Sequence, residues 1–320
     1  MLDESDHVEH LVADLAAQDF AGELEVIVAD GGSTDGSVEH LERAARNARL
    51  SVEVIANPRR WVSPGLNACI RRASGDLIAR LDCHTRYPID YLRRCAEATE
   101  ETGAWVVGGL VVPVGRSPQE RAVACALDSP FGGTHWTRHG RSERRVETDT
   151  VYLGAFRPMA FQQAGLFDET LVRNQDDDLA YRIRAAGGRI VLDPQIRANY
   201  YPSRDLAAVF RQYYEYGFWK TAVMRKHRTV LTGRSLAPIA FVMTLAGLGV
   251  AATHSRAART GAVTALGAYA AIAVTSAALS IERRGENWRL LPYVSATFPA
   301  FHLGYGLGML RSSLIGTSRF

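Results

Sequence analysis

The chain has 320 residues, 22% of them charged, and a formal net charge of +3 at pH 7. This length allows one large domain or two smaller ones, and the near balance of charge argues against a nucleic-acid partner. Its four cysteines have neither Cys-x-x-Cys nor zinc-site spacing, so we interpret them as free thiols in a reducing compartment.

Three predicted strands alternate with helices between Glu23 and Asp82. The strands are "ELEVIVAD", "LSVEVIAN" and "GDLIARLD", and the stretches "GGSTDGS" and "SPGLNACIRRA" are typical of a turn or helix that follows a strand. This alternation predicts an α/β domain with a mostly parallel sheet, whose ligands bind beyond the carboxyl ends of the strands. Asp30 and Asp82 end two of the strands and are therefore candidate site residues.

The segment "LDCHTRYP" places Asp82 two residues before His84. In an extended segment these two side chains point the same way, so they could share a divalent cation or a diphosphate. A carboxylate and an imidazole form a mixed set that Mg²⁺ or Mn²⁺ accepts, although all-oxygen sites are the norm for Mg²⁺. A loop histidine bonded to the backbone is the alternative.

The stretch "NQDDDLAYRIRAAGG" places Asp176, Asp177 and Asp178 at the start of a predicted helix. Capping explains one or two of them, because a carboxylate near a helix N-terminus gains about 0.3–1 kcal/mol. Adjacent carboxylates also raise one another's pKa, which is what a general base acting on a hydroxyl near neutral pH needs. Capping and catalysis therefore both stay open for this stretch.

Long uncharged segments dominate the chain beyond residue 232, so we predict one domain over 1–232 and a membrane domain over 233–320. Three of them have about the 20 residues needed to cross a bilayer, are rich in small residues and lack a recurring polar face. They are Ser235–Thr253, Ala262–Ile281 and Leu290–Leu310. The sequence predicts three transmembrane helices, of which the third is the best suited to a re-entrant segment. The alternative, buried helices of a soluble domain, fits the pattern poorly.

Basic residues set the predicted orientation of these helices. More of them precede the first span than occupy the loop after it, which places the N-terminal domain in the cytoplasm by the positive-inside rule. The aromatic and basic stretch 205–228 is typical of a helix in the membrane interface, in contact with anionic lipids. An internal amphipathic helix is the alternative.

The motifs "VADGGSTDGS", "GDLIARLDCHTRYP" and "NQDDDLAYRIRAAGG" resemble, in order and spacing, those of GT-A glycosyltransferases of family 2. From residue 3 to about 228 the chain is most similar to the ExoA-like (succinoglycan biosynthesis) bacterial exopolysaccharide glycosyltransferases. The resemblance implies a GT-A domain, Rossmann-like with a mostly parallel sheet and flanking helices, followed by C-terminal transmembrane helices.

The resemblance assigns the donor side of the site. Asp30 corresponds to the acidic residue that contacts uridine, and Glu4 is expected beside it. Asp82 opens the Asp-x-Asp segment that holds the sugar-nucleotide diphosphate with Mg²⁺ or Mn²⁺. His84 replaces the second Asp of that segment, which makes its role as a metal ligand less secure than that of Asp82.

The resemblance also assigns a base. Asp176 falls at the catalytic Asp of the family's Glu-Asp pair, with Gln175 in place of the Glu. Asp176 would deprotonate an acceptor hydroxyl, which attacks the anomeric carbon as the nucleotide leaves. Asp178 is expected to cap the helix, and Asp177 to tune the pair or be solvated.

On the acceptor side, Arg211 and Trp219 are expected supporting residues. The Gly- and Arg-rich loop between Phe131 and Thr150 is interpreted as a contact for an anionic lipid diphosphate, with a solvated basic loop as the alternative. Processive synthases carry Gln-x-x-Arg-Trp, where this chain has "QYYEY", so we favour transfer of a single sugar.

The implied reaction is an inverting transfer from a nucleotide-sugar to a polyprenyl-diphosphate-linked saccharide at the cytoplasmic face of a bacterial inner membrane. The expected donor is a UDP-hexose. One alternative is an enzyme that glycosylates polyprenyl phosphate, as dolichyl-phosphate mannose synthases do. Another is a non-catalytic membrane subunit.

The start of the chain departs from the family. Members open with an apolar strand that leads to a Pro-x-x-Asn-Glu turn, whereas Asp3 and Glu4 stand here at the Asn-Glu positions. We therefore expect the first strand to be missing from this sequence, and we favour a start codon further upstream.

Overall fold

The computed structural model of the chain describes residues 1–132, 143–203, 205–230 and 233–315. The chain divides into two compact units. The first comprises Met1–Val112 and His139–Tyr200, and the second comprises Pro113–Arg138 and Tyr201–Phe320. The second unit thus takes in Pro113–Arg138 as well as the chain beyond Tyr200, and the domain boundary predicted at residue 232 stays a prediction.

Helices and strands alternate in the first part of the chain, as the sequence predicts. Up to residue 113 they are α1 Ser5–Ala16, β1 Val26–Asp30, α2 Ser37–Ala48, β2 Val52–Ala56, α3 Val62–Arg72, β3 Ile78–Ala79, β4 Thr85–Arg86, α4 Tyr91–Thr102 and β5 Val106–Pro113. Then follow α5 Pro118–Leu127, a 3-10 turn at Pro130–Gly132, β6 Val146–Glu147, β7 Tyr152–Phe156, α6 Pro158–Ala164, α7 Gln175–Ala185 and β8 Ile190–Tyr200. The last part contains α8 Leu206–His227, a 3-10 turn at Gly233–Leu236, α9 Ala237–His254, α10 Arg256–Arg284, a 3-10 turn at Trp288–Leu290 and α11 Leu291–Ile315.

The strands form a mixed arrangement rather than a mostly parallel one. β1 and β2 pair in parallel, in register from Val26 opposite Val52 to Asp30 opposite Ala56. A six-stranded sheet has the order β3-β7-β5-β8-β4 with β6 beside β8, and its pairs β3–β7, β5–β7, β4–β8 and β6–β8 are antiparallel. The expectation of a mostly parallel sheet is corrected here, because the strand–helix alternation on which it rested ends near residue 82.

Met1 lies against the edge of β1 that faces away from β2. Its amino group donates to the carbonyl oxygen of Ala29 at 2.6 Å, and its carbonyl accepts from the Gly31 amide at 2.9 Å. Successive residues of a strand point their backbone groups to opposite edges. The Asp30 carbonyl, which lies between these two residues in the strand, accepts from the Asn57 amide just after β2, so Met1 contacts the edge of β1 opposite β2. The missing first strand stays a prediction.

Alternating residues of β5 and β8 build two hydrophobic cores on opposite faces of the larger sheet. Val107 and Val191 belong to the core that contains α4, whereas Val106 and Ile190 belong to the core that contains α7. This is the period of two that a strand imposes on its side chains. The buried face of α7, with Leu179 1% and Ile183 0% exposed, confirms the predicted helical spacing and fixes where Asp176 can lie.

In the second unit, α8 and α11 pack with very close backbones. A Cβ atom on Gly308 would lie 2.0 Å from the Tyr214 carbonyl oxygen, and one on Gly217 would lie 2.0 Å from that of Tyr305. The rings of Tyr213 and Phe301 stack at 4.2 Å. These contacts favour the alternative reading of stretch 205–228, a helix whose aromatic side is internal.

Two helices in the described part of the chain are long and apolar enough to cross a membrane. They are Ala237–His254 and Arg256–Arg284, with mean hydropathies of 1.5 and 1.7, and only 6% and 11% of their apolar windows are buried. The third predicted span falls within α11, which does not meet the same criteria, contains Pro299 and buries Phe298 and Phe301. Its role as a membrane span stays a prediction.

Candidate active site

Asp30 ends β1 and organises the loop that follows it. Its carboxylate accepts hydrogen bonds from the Gly32 amide at 2.9 Å, the Ser33 amide at 3.1 Å and the Ser33 hydroxyl at 2.6 Å. Gly32 has a φ of 81°, which favours glycine in this turn. The loop thus places a partly exposed carboxylate at the carboxyl end of a parallel strand, where the sequence predicts a ligand to bind.

Glu4 is held beside the same loop. Its backbone amide donates to the Ser37 hydroxyl at 2.7 Å, while the Asp3 carboxylate accepts from the Thr34 amide at 2.8 Å. The Glu4 carboxylate lies 3.7 Å from Nδ1 of His84. The structure therefore brings Glu4 to the loop of Asp30 and to His84.

His84 does not lie on an extended segment, and this argument from the sequence is corrected. The predicted third strand ends at Ala79, and the Thr85 amide donates to the Asp82 carbonyl at 3.2 Å, so Cys83 and His84 occupy a turn. The contact with Glu4 raises the pKa of His84 above its ordinary value, against the effect of burial, and Asp82 adds to the increase. The role of His84 as a metal ligand stays a prediction.

The Asp82 carboxylate is close to two polar side chains, and its contacts with both are long. Arg80 approaches Oδ1 with Nε at 3.4 Å and Nη2 at 3.3 Å, and the Tyr152 hydroxyl lies 3.4 Å from Oδ2. The Asp82 amide donates to the Tyr87 hydroxyl at 2.7 Å. The carboxylate therefore keeps lone pairs available for a cation or another ligand.

This donor set fits Mg²⁺ or Mn²⁺ only if a ligand adds oxygens to it. Hard cations take oxygen ligands, and Mg²⁺ is often bound by one or two carboxylates together with substrate phosphates. Among the described residues no group of three or more His, Cys, Asp or Glu side chains could hold a metal ion. Asp82 could thus hold such an ion together with diphosphate oxygens, with His84 as a further candidate.

The three aspartates of α7 have three different surroundings. Asp176 accepts through Oδ1 from the Asp177 amide at 3.0 Å, and Asp177 accepts from the Asn174 side-chain amide at 2.7 Å. Asp178 is fully buried and pairs with Arg182 at 2.9 Å. The carboxylate of Asp178 pairs with Arg182 one turn along the helix, and its role as a helix cap stays a prediction.

Arg182 extends that pair to the chain before α7. It donates to the carbonyl oxygens of Ala164 and Leu166, the latter at 2.7 Å. The buried pair therefore fastens α7 to the segment after α6, and Asp176 sits two residues earlier on the helix thus fixed. Asn174, just before the helix, has a φ of 58°.

Arg80 connects the two halves of the site, and the sequence analysis missed it. Its side chain is 14% exposed and lines a cavity with Asp176. Burial lowers the pKa of Arg80, but Asp82 and then Asp176 outweigh burial and leave the pKa above its ordinary value. The signal in the sequence is a single charge inside the apolar run "LIARL", since a buried charge needs a partner.

The cavity shared by Arg80 and Asp176 has a volume of about 20 Å³, room for one water molecule. Apolar side chains of β5, α7 and β8 form much of its wall, including Val106, Leu179 and Ile190. It is far too small for a nucleotide-sugar. It is the place where the base candidate meets the arginine, not the donor pocket.

The predicted acceptor residues lie in the second unit. Arg211 is exposed on α8, whereas Trp219 is only 4% exposed and packs edge-on against Phe218 at 5.6 Å. Residues 133–142 of the predicted acceptor loop lie outside the described residues. The acceptor roles of Arg211, Trp219 and this loop stay predictions.

Comparisons with known proteins identify the family. Residues 1–171 match the family model for glycosyl transferase family 2. The chain is 32% identical over 252 residues to the succinoglycan biosynthesis protein ExoA of Rhizobium meliloti (strain 1021), which covers 75% of this chain and 72% of that protein.

A solved structure shows the same fold. The mannosyltransferase PcManGT from Pyrobaculum calidifontis, determined with GDP-Man and Mn²⁺, aligns with a TM-score of 0.64 at 20% identity, covering 94% of this chain and 84% of that one. The mixed sheet with flanking helices is thus a GT-A fold. The chain belongs to glycosyl transferase family 2, whose members transfer sugars from nucleotide-sugar donors.

Proposed function

We propose that this glycosyltransferase is membrane-anchored, inverting and metal-dependent, and that it transfers one sugar from a UDP-hexose to a polyprenyl-diphosphate-linked saccharide during assembly of a cell-surface polysaccharide. The observation that carries the proposal is that Arg80 contacts Asp82 and shares a cavity with Asp176, which is far from Asp82 in the sequence. A donor-side carboxylate and a candidate base thus share one site.

The donor side is built from the first unit. Asp30 and Glu4 lie at the loop after β1, where the nucleoside is proposed to bind. Asp82, with His84 as the further candidate, would hold Mg²⁺ or Mn²⁺, which neutralises charge on the diphosphate leaving group. The mannosyltransferase of the same fold was determined with Mn²⁺ and a nucleotide-sugar, which supports this assignment.

Asp176 is proposed as the base. Its carboxylate takes the proton of an acceptor hydroxyl, the hydroxyl oxygen attacks the anomeric carbon, and the bond from that carbon to the nucleotide diphosphate breaks. Attack opposite to the leaving group inverts the anomeric configuration. Asp177, held by Asn174, and Asp178, held by Arg182, keep the start of α7 in place.

The exposed apolar helices α9 and α10 support a membrane location and, with it, a lipid-linked acceptor. The name of the Rhizobium meliloti relative places that protein in succinoglycan biosynthesis, which supports a role in polysaccharide assembly. Basic residues before α9 favour the first unit on the cytoplasmic side of an inner membrane.

The test is sugar transfer by the full chain in detergent, with UDP-, GDP- and dTDP-sugars, with Mg²⁺ or Mn²⁺, and with lipid-diphosphate saccharide or polyprenyl phosphate as acceptor. Replacing Asp176 with Asn should lower kcat about 10²–10⁴-fold, the usual share of a general base. Nucleotide affinity should stay within about twofold, because Asp176 is not placed on the donor side.

The matched control is Asp76→Asn, which makes the same change of side chain at an exposed position of the first unit. Its turnover should stay near that of the wild type. Full turnover by Asp176→Asn would remove Asp176 as the base, and transfer to polyprenyl phosphate alone would replace the proposed acceptor.

A further inference from the structure

We propose that Arg80 is a positioning residue for sugar transfer, whose guanidinium joins the donor-side carboxylate Asp82 to the base Asp176 and so fixes one relative to the other. The inference rests on the proposed function of this site. It assigns a role to a side chain that lies within the motif "GDLIARLDCHTRYP" but to which the resemblance gives no role.

Arg80 is anchored at both its backbone and its side chain. Its amide donates to the Gly154 carbonyl at 3.1 Å, which ties it to β7. Its Nε and Nη2 both face a single oxygen of Asp82, Oδ1. A guanidinium has five N–H donors in a rigid plane, so groups remain for the cavity that Arg80 shares with Asp176.

The charges require a cation at this position. Asp176 lines a cavity whose wall contains Val106 and Leu179, and Asp82 pairs with Arg80, which lines the same cavity. Like charges repel strongly in such surroundings. Arginine keeps its proton in proteins. Arg80 therefore lets both carboxylates be anionic together, one to hold a cation with the donor and the other to accept a proton.

The local backbone is built around this contact. Leu153, between Tyr152 and Gly154, has a φ of 47°, an uncommon conformation for a non-glycine residue. Its neighbours contact Asp82 through the Tyr152 hydroxyl and Arg80 through the Gly154 carbonyl. Strained residues persist where the surrounding structure holds them, and they cluster at functional sites.

A positioning role makes a specific kinetic prediction. Both Arg80 contacts go to Oδ1 of Asp82, whereas Oδ2 accepts one long hydrogen bond, from the Tyr152 hydroxyl at 3.4 Å, and keeps a lone pair for a cation. Donor binding should therefore survive loss of the arginine. The base, however, would lose its fixed position, and a misplacement of about 1 Å can cost 10²-fold in rate.

The experiment compares Arg80→Met and Arg80→Lys with Arg157→Met. Arg157 is the matched control, a half-buried arginine of the same unit whose donors go to the carbonyl oxygens of Ala104 and Thr99 rather than to carboxylates. Turnover is measured at saturating donor. The dissociation constant of UDP with Mn²⁺ is measured by calorimetry, which does not depend on turnover.

Arg80→Met should lower kcat about 100-fold and change the dissociation constant less than about threefold. Arg80→Lys, which keeps the charge but not the planar fork, should lose about tenfold. In a third variant, Arg80→Ala, millimolar guanidinium should restore turnover. Arg157→Met should not lower kcat while leaving the dissociation constant of UDP unchanged. A parallel loss of UDP affinity and kcat would make Arg80 a donor ligand and overturn the proposal, as would unchanged kcat.

A double-mutant cycle separates this inference from the proposed function. Thermal unfolding of Arg80→Met, Asp176→Asn and the double variant should be non-additive, because the two side chains interact. An additive cycle in an active enzyme would refute the role of Arg80 alone. If the wild type shows no turnover although the cycle is non-additive, the proposed function is refuted, and the positioning role with it.

Discussion

The three adjacent aspartates at the start of α7 show how much a single residue's surroundings depend on the fold. Successive residues of a helix point about 100° apart, so neighbours in the sequence face different parts of the molecule. Asp176 lines the cavity with Arg80, Asp177 meets Asn174, and Asp178 is buried against Arg182. The crowding of like charge that the sequence implies is relieved because each carboxylate has its own partner.

Breaking the buried Asp178–Arg182 pair should destabilise the protein. Arg182→Met leaves Asp178, 0% exposed, without its cation, and such losses cost about 3–5 kcal/mol in the free energy of unfolding. Denaturant unfolding of the solubilised protein measures it. Arg184→Met, on an exposed position of the same helix, should change stability by less than about 0.5 kcal/mol. Equal effects of the two substitutions would contradict this account.

Among single residues, the sequence predicts those at ends of elements better than those inside them. The sequence offers Asp30 and Asp176 as candidates because one ends a strand and the other begins a helix, and the structure places them at a strand end and a helix start. Arg80 and Tyr152 were missed because their importance comes from contacts between segments distant in the chain. Only the three-dimensional structure brings those segments together.

At the scale of elements, one loop begins two helices. Asp35 accepts hydrogen bonds from the Ser37 hydroxyl and the Ser37 amide at the start of α2, and from the Ser5 amide at the start of α1. These bonds, that from the Ser37 hydroxyl first, hold the pKa of Asp35 well below its ordinary value. The ionised carboxylate thus satisfies amides of two helices that the sequence does not link.

The depressed pKa of Asp35 predicts acid sensitivity. Its stabilising contribution is fully present above the unfolded-state pKa of about 3.9 and is lost as the pH falls toward the lower folded-state pKa. Asp35→Asn should therefore flatten the decrease of unfolding midpoint with pH below about 4. Glu39→Gln, on an exposed position of α2, is the control and should leave the slope as in the wild type. An unchanged slope in Asp35→Asn would sink the assignment.

The contact between α8 and α11 predicts the effect of one methyl group. Gly308→Ala would place Cβ 2.0 Å from the Tyr214 carbonyl oxygen, so the helices must separate, at a cost of about 1–3 kcal/mol. Gly267→Ala, in α10 with nothing within 4 Å of the new Cβ, is the matched control. It should leave stability unchanged or raise it by up to about 1 kcal/mol, through helix propensity. Thermal unfolding in detergent compares them, and a destabilised Gly267 variant would speak against close packing as the cause.

The elements themselves follow the sequence where local pattern decides them. β1, β2, α2, α3 and α7 occur where the apolar runs and turn residues predict them. The third strand is reduced to Ile78–Ala79. In the larger sheet the pairs β3–β7, β5–β7, β4–β8 and β6–β8 are antiparallel, because strand direction is set by the connections rather than by propensity. Pairing between distant strands leaves little trace in a single sequence.

At the scale of the whole molecule, the exposed surfaces of α9 and α10 predict integral membrane behaviour. The full chain should stay in the membrane pellet after alkaline carbonate and dissolve only in detergent. Val263→Arg, at a position 66% exposed on α10, should weaken insertion by about 3 kcal/mol. Val230→Arg, 49% exposed but outside both helices, is the control. Release of the unmodified chain by carbonate would contradict membrane insertion.

The path of the chain through its two units affects any attempt to produce the first unit alone. A gene cut after Tyr200 would still encode α5, whose residues Ala122–Leu127 are buried in the second unit. Its native neighbours there include Ser280, which donates to the Cys125 carbonyl, and Arg284, which donates to that of Pro113. In the shortened product the apolar residues of α5 would lose their neighbours and become exposed to solvent, so the product would be prone to aggregate. A soluble version of the first unit therefore also requires deletion of Pro113–Arg138, with a designed linker that joins Val112 to His139.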